Sequence, residues 1–115
     1  MKILNREQFL SLPSGILYMK YEPYNLGELQ IKESTLDNDF ICLDLNGIEM
    51  SDEEQLFHVL IEAQENGRNV ELDMELTYRD ALYDKNQLFM VLEKDDVLKL
   101  TNKLNDILSN YPNEI

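Results

Sequence analysis

A chain of 115 residues and 13.5 kDa has room for one domain, 1–115, and can bury about two thirds of its extended surface. Hydrophobic residues at 43% exclude wholesale disorder, and 10 Lys and Arg against 23 Asp and Glu leave a net charge of −13. That balance argues against direct nucleic-acid binding, which needs cations to displace phosphate counterions, and against docking on anionic membranes.

In chain order, Asn5 is placed to cap a short N-terminal helix containing Phe9, Leu10 and Leu12, which Pro13 stops. After Ser14-Gly15, residues Ile16 to Tyr21 read as a strand. Pro23 and Gly27 bracket a loop. Glu28 to Glu33 alternates strictly, with Leu29 and Ile31 on one face. Thr35 to Asp39 reads as a polar turn and Phe40 to Leu45 as an apolar strand, plausible in a sheet interior. Ser51 followed by Glu54 has the capping-box spacing, and a helix should run to Asn66 with Gly67 as its C-cap. Its expected buried stripe is Leu56, Val59, Leu60 and Ala63, with Glu54, His58, Glu62 and Glu65 opposite.

Val70 to Thr77 shows the cleanest alternation in the chain and predicts a strand with Glu71, Asp73 and Glu75 on one face. Gln87 to Leu92 predicts another. A last helix should open at Asp95 or Asp96, with the stripe Val97, Leu100, Thr101, Leu104 and Leu108. The expected fold class is α+β: a mostly antiparallel sheet of about five strands, two main helices and the short N-terminal one, with the helices on one face. The expected core is Leu17, Met19, Leu29, Ile31, Ile41, Leu43, Leu56, Leu60, Leu72, Met74, Leu88, Met90, Val97, Leu100 and Leu104.

The charge is uneven. Residues 49–84 hold 2 basic and 11 acidic groups, 2 − 11 = −9, while the flanking segments are nearer neutral. One reading is a solvated face that keeps the protein soluble. A second is an acidic surface, Glu62, Glu65, Glu71, Asp73 and Glu75, that binds a basic partner, and a third is cation binding by the Glu71, Asp73 and Glu75 row, which a straight strand fans apart. Tyr21 and Tyr24, on either side of Glu22-Pro23, are the second candidate for partner binding, because tyrosine is over-used at interfaces.

Chemistry is harder to place. The single cysteine, Cys42, lies in the apolar run Phe40 to Leu43 and reads as a small buried hydrophobe. Cys42 to Glu53 approaches an EF-hand loop at Asp44, Asn46, Gly47 and Glu53, but its first position is Cys42 and a strand precedes it. His58 is the only histidine, so a zinc site lacks ligands. No catalytic group, metal or cofactor is expected, and no enzymatic activity. No stretch approaches the roughly 18 apolar residues of a membrane span. The start of the chain, with Asn5-Arg6-Glu7 soon after Lys2, does not read as a secretory leader.

Arg6 to Leu10, Leu12-Pro13, Gly15, Tyr21-Glu22-Pro23, Gly27 to Lys32 and Asn38-Asp39-Phe40 form a pattern that continues with Arg79-Asp80, Gln87 to Phe89 and Asp96-Val97. This pattern resembles small acidic proteins of no settled activity encoded by bacteriophages and prophages. The resemblance carries no functional residues across. It implies a setting, a phage accessory protein in the cytoplasm of a bacterial host cell. There it would act by protein–protein interaction, inhibiting a nucleic-acid-binding host or defence protein through a phosphate-like acidic surface. The alternative expectation is a structural or regulatory phage protein that works as a homo-oligomer, its acidity serving only solubility.

Overall fold

The computed structural model describes residues 1–48 and 53–115. The fold is α+β. Its elements are β1 (Lys2–Leu4), α1 (Arg6–Leu10), β2 (Ile16–Glu22), β3 (Asn25–Leu26) and β4 (Gln30–Leu36), then β5 (Asp39–Asp44), α2 (Glu53–Asn66), β6 (Thr77–Arg79), β7 (Leu88–Val91) and α3 (Lys94–Ser109). All pairings are antiparallel, in the order β1-β7-β2-β4-β5-β6, with β3 folded back on β2.

Among the described residues, seven strands replace the expected five. The two extra are short: β1, which pairs Ile3 with Met90, and the hairpin arm β3. The chain therefore opens on a strand, and the short helix is its second element. There Asn5 accepts from the Gln8 N–H at 2.8 Å and its own N–H donates to the Gln8 side chain at 3.0 Å, closing a capping box. Strand β4 runs on to Leu36, through part of the segment read as a turn, by means of a bulge between Lys32 and Thr35. The Ser51 capping position lies outside the described residues.

The largest correction concerns 70–77. Only Leu72 forms a bridge, to Ile48, and only Thr77 joins a strand, β6. The Asp73 carboxylate accepts the N–H of Glu75 at 2.8 Å, a local turn that competes with extended pairing. Like charges at Glu71, Asp73 and Glu75 add repulsion along any straight row. The segment instead lies against Gly47, whose C=O accepts the Asp73 N–H at 2.8 Å. A Cβ at Gly47 would stand 2.7 Å from the Asp73 carbonyl oxygen, so the contact requires glycine.

The core also lies on the opposite sheet face from the one expected. Its buried members are Phe9, Tyr18, Phe40, Cys42, Phe89 and Val91. Register places Tyr18 beside Val91, and Lys32 between Ile16 and Cys42, on this same face. The alternate face carries Leu17, Met19, Ile31, Ile41 and Met90, all only half-buried; Leu43 there is buried. Four aromatic rings drive the choice: Phe9 from α1 meets Tyr18, Phe40 and Phe89 with centroids 4.7, 5.1 and 3.9 Å away. Lys32 is fully buried among them because its ammonium is satisfied by the Leu12 carbonyl at 2.9 Å, the Thr35 hydroxyl at 2.8 Å and the Glu33 carbonyl at 3.1 Å. Burial pushes its pKa down.

Helices α2 and α3 do not supply the expected core. Val59 is the only buried residue of α2, and α3 has none. Leu60, Leu72, Met74 and Leu104 are exposed, while Leu29, Leu56, Leu88, Val97 and Leu100 are half-buried.

Candidate interaction surfaces

Helix α2 forms from a run of good helix formers with Glu53 and Glu54 in its first turn, where negative charge suits the helix dipole. It carries four glutamates and no Lys or Arg. Glu62 and Glu65 are both on its exposed side, as expected, and Glu62 receives Arg68 at 2.9 Å. Among the described residues, Glu53, Glu54, Glu65, Glu71 and Glu75 have no ion-pair partner. On the same helix as Glu53, Glu54 and Glu65 stand Phe57, 64% exposed, and Leu60, 45% exposed. His58 is exposed, its ring centroid 6.2 Å from that of Phe57. The α2 surface is thus acidic and apolar together.

Glu71, Asp73 and Glu75 do not form the continuous row that a strand would give. Glu71 and Glu75 are exposed, whereas Asp73 is half-buried and holds the turn.

Tyr21 and Tyr24 are separated by the hairpin. Tyr21 is half-buried on β2 opposite Leu26, and Glu22 pairs with Asn25. The connection is Pro23-Tyr24. Tyr24 is fully exposed and has φ +66°, in the left-handed region that disfavours a bulky side chain.

A buried ionic cluster was not anticipated from sequence. Asp39, fully buried at the start of β5, accepts Arg79 Nε at 2.9 Å and the Ala81 N–H at 3.0 Å. Burial opposes ionisation of Asp39, but the donations from the Ala81 and Phe40 N–H groups and from Arg79 outweigh it and hold its pKa below the usual carboxylate value. Asp80 pairs with Lys20, and the Arg6 guanidinium lies 3.9 Å away. Arg6 donates to the Asn38 carbonyl at 2.6 Å and sits 5.7 Å from the Phe40 ring centre. On its far side Arg79 Nη2 donates to the Tyr83 hydroxyl at 2.7 Å. Ala81 and Tyr83, at φ +58° and +54°, bend the intervening loop to deliver these groups. A surface hollow beside the cluster is lined by Arg6, Glu7, Leu10, Asn38, Tyr83 and Lys85. Both carboxylates are committed to cations and backbone donors, so the cluster fastens the β6–β7 loop to α1 and β5. The sequence signal was slight: an acidic residue directly before the apolar run at Phe40, and the Arg79-Asp80 dipeptide.

Cys42 is 1% exposed, and its thiol lies 3.5 Å from the Tyr78 carbonyl. Burial pushes its pKa up, which disfavours a thiolate. In the EF-hand-like stretch, the Asp44 carboxylate accepts Gln30 at 2.6 Å and the Tyr78 hydroxyl at 2.7 Å. Among the described residues no three His, Cys, Asp or Glu side chains converge on a metal position, and no helix is long and apolar enough to cross a membrane. Compared with protein-family models, curated proteins and solved structures, the chain matches none.

Proposed function

We propose that the protein is a binding module that acts on another protein, with α2 and the segment after it as its contact surface. The observation that carries this reading is the pairing of unneutralised carboxylates with exposed Phe57 and Leu60 on one helix. Phe57 and Leu60 together give the charged face an apolar anchor that a solubilising surface does not need. The partner is a host protein with a basic groove that also has an apolar floor. Glu54, Glu62, Glu65, Glu71 and Glu75 would steer the approach and meet Lys or Arg at the rim. Phe57 would supply the desolvated anchor. A groove evolved for a nucleic-acid phosphate backbone has the required charge, and filling it would inhibit that protein. The setting is that of a phage accessory protein in a bacterial cytoplasm, with Tyr21 and Tyr24 as a second contact.

The test is affinity purification from bacterial cells with the wild type, with the quadruple variant Glu62→Lys, Glu65→Lys, Glu71→Lys, Glu75→Lys, and with Phe57→Ala. A partner should be recovered at low salt, fall away as salt rises, and be lost from both variants while their sheet core remains folded. Recovery of the same partner by the quadruple variant at unchanged yield would overturn the proposal.

A further inference from the structure

We infer that α3 pairs with α3 of a second copy of this chain, through Val97, Leu100, Leu104, Ile107 and Tyr111. This inference is independent of the α2 reading and rests on different residues. Helix α3 has 16 residues, and none is buried. Its ties to the rest of the fold are at its start. The Met1 amine reaches Asp96 at 2.7 Å and Lys2 reaches Glu93 at 3.3 Å. Beyond that first turn, Leu104, Ile107, Leu108 and Tyr111 are 55%, 46%, 72% and 56% exposed. A helix of this length is marginal in water without a packed face.

Three features identify the occupant as a second copy. The first is spacing. Within the helix, positions 97, 100, 104 and 107 step by three and four residues in turn, the heptad seam of a helix pair, with Val97 and Leu100 half-buried and Tyr111 continuing the step just past the helix end. Leu104, Ile107, Leu108 and Tyr111 line one apolar hollow. Leu104, Ile107 and Leu108 stand at i, i+3 and i+4 on the helix, three sides of the frame that receives a knob from a facing helix, and Tyr111 closes it from just beyond the C-cap Asn110.

The second is charge. Helix α3 holds Lys94, Lys99 and Lys103 against Asp95, Asp96 and Asp106, a balance of zero on a chain of −13. Two copies repel over most of their surfaces, and α2 with its four glutamates cannot meet itself. Helix α3 can. A basic partner, conversely, would gain nothing from it.

The third is area. A compact monomer of this mass exposes about 6,500 Å². This chain exposes 8669 Å². The surplus belongs to the whole chain, α2 included, and it leaves room for the roughly 800 Å² per partner that a stable interface needs. The radius of gyration, 16.5 Å against about 13 Å for a compact chain of this length, agrees.

Sedimentation equilibrium of the full chain across micromolar concentrations tests the inference. Wild type should approach twice 13.5 kDa. Added salt should strengthen the pairing, because it screens repulsion between two −13 chains, whereas it would weaken an acidic–basic complex. The double variant Leu104→Asp, Ile107→Asp should be monomeric, its dissociation constant raised at least tenfold. Leu98→Asp, at an exposed position off the seam, should remain a dimer. Because α3 contributes nothing to the buried core, amide-exchange protection of β2, β5 and β7 should be alike in all three. A wild-type monomer, a dimer that survives the double variant, or a Leu98→Asp monomer would each overturn the assignment of this face.

Discussion

Phe9 of α1 lies flat on Phe89 of β7, ring centroids 3.9 Å apart and planes 3° from parallel. Both side chains are fully buried. A five-residue helix has too few hydrogen bonds to stand alone, so this stack and the Asn5 capping box hold α1 on the sheet. The same ring edges meet Tyr18 and Phe40, so α1 closes the aromatic cluster.

Phe9→Ala should therefore cost about 3–5 kcal/mol, because it opens a cavity in the densest part of the core. Leu60→Ala, in α2, should cost about 0.5 kcal/mol or less, since that side chain is 45% exposed. Urea unfolding of the two variants separates the cases. A larger loss at Leu60 than at Phe9 would return the core to the aliphatic face of the sheet.

Tyr18→Phe should leave the protein as stable as wild type or raise its stability by about 1 kcal/mol. Among the described residues the buried Tyr18 hydroxyl has no oxygen or nitrogen partner, only the weakly polar Cys42 thiol beside it, and burial pushes its pKa up. Removing a polar atom that was desolvated and only weakly paired removes a penalty. A loss above about 1 kcal/mol would mean that the hydroxyl is bonded in solution.

The same region explains how much of the fold was legible in the sequence. Strands β2, β4, β5 and β7 stand close to where apolar and β-branched residues place them, and α2 and α3 follow their 3.6-residue pattern. The inward face was not legible. Both faces alternate plausibly, and the eye favours Leu29 and Ile31 over Gln30 and Lys32 as interior. Lys32 is nevertheless buried, because acceptors from the α1–β2 connection and from Thr35 surround its ammonium. Part of that information comes from Leu12, twenty positions away, and none of it from the alternation itself. The Val70 to Thr77 pattern failed for a related reason: period two describes a surface, and a strand also needs a neighbour to pair with. Of the candidate site, the acidic bias of 49–84 was readable. The exposure of Phe57 and of the α3 seam was not, because an apolar stripe looks the same whether its own chain or another covers it.

Stability should depend on pH through Asp39. Its native pKa lies below its unfolded value of 3.8. The unfolded chain therefore binds the proton first. Stability from this carboxylate is complete above about pH 5 and is lost as pH falls from 3.8 through the native pKa. Asp39→Asn keeps the shape but forfeits the charge-assisted bonds to Arg79 and the Ala81 N–H, and should cost about 1.5–3 kcal/mol at pH 7. The gap between wild type and variant should narrow as pH drops through that window. A gap that stays constant from pH 7 down to pH 2 would show that Asp39 is not held as a carboxylate.

Tyr24 should prove to be a residue kept against the interest of stability. At φ +66° a side chain with a Cβ costs about 1–2 kcal/mol relative to a right-handed conformation, and glycine escapes that cost. Tyr24 makes up for none of it by burial, since it is fully exposed at the tip of the β2–β3 hairpin. Tyr24→Gly should then gain about 0.5–1 kcal/mol, the relief of strain less the added freedom of the unfolded chain. Tyr24→Ala retains the Cβ and should gain nothing, so the difference between the two variants isolates the backbone effect from loss of the ring. If Tyr24 is part of the partner contact, both variants should lower affinity alike, because both remove the ring, while only one is stabilised. Equal stability of Tyr24→Gly and Tyr24→Ala would show that the turn carries no strain. A partner bound as tightly by both as by wild type would remove Tyr24 from the contact surface and leave α2 as the sole candidate.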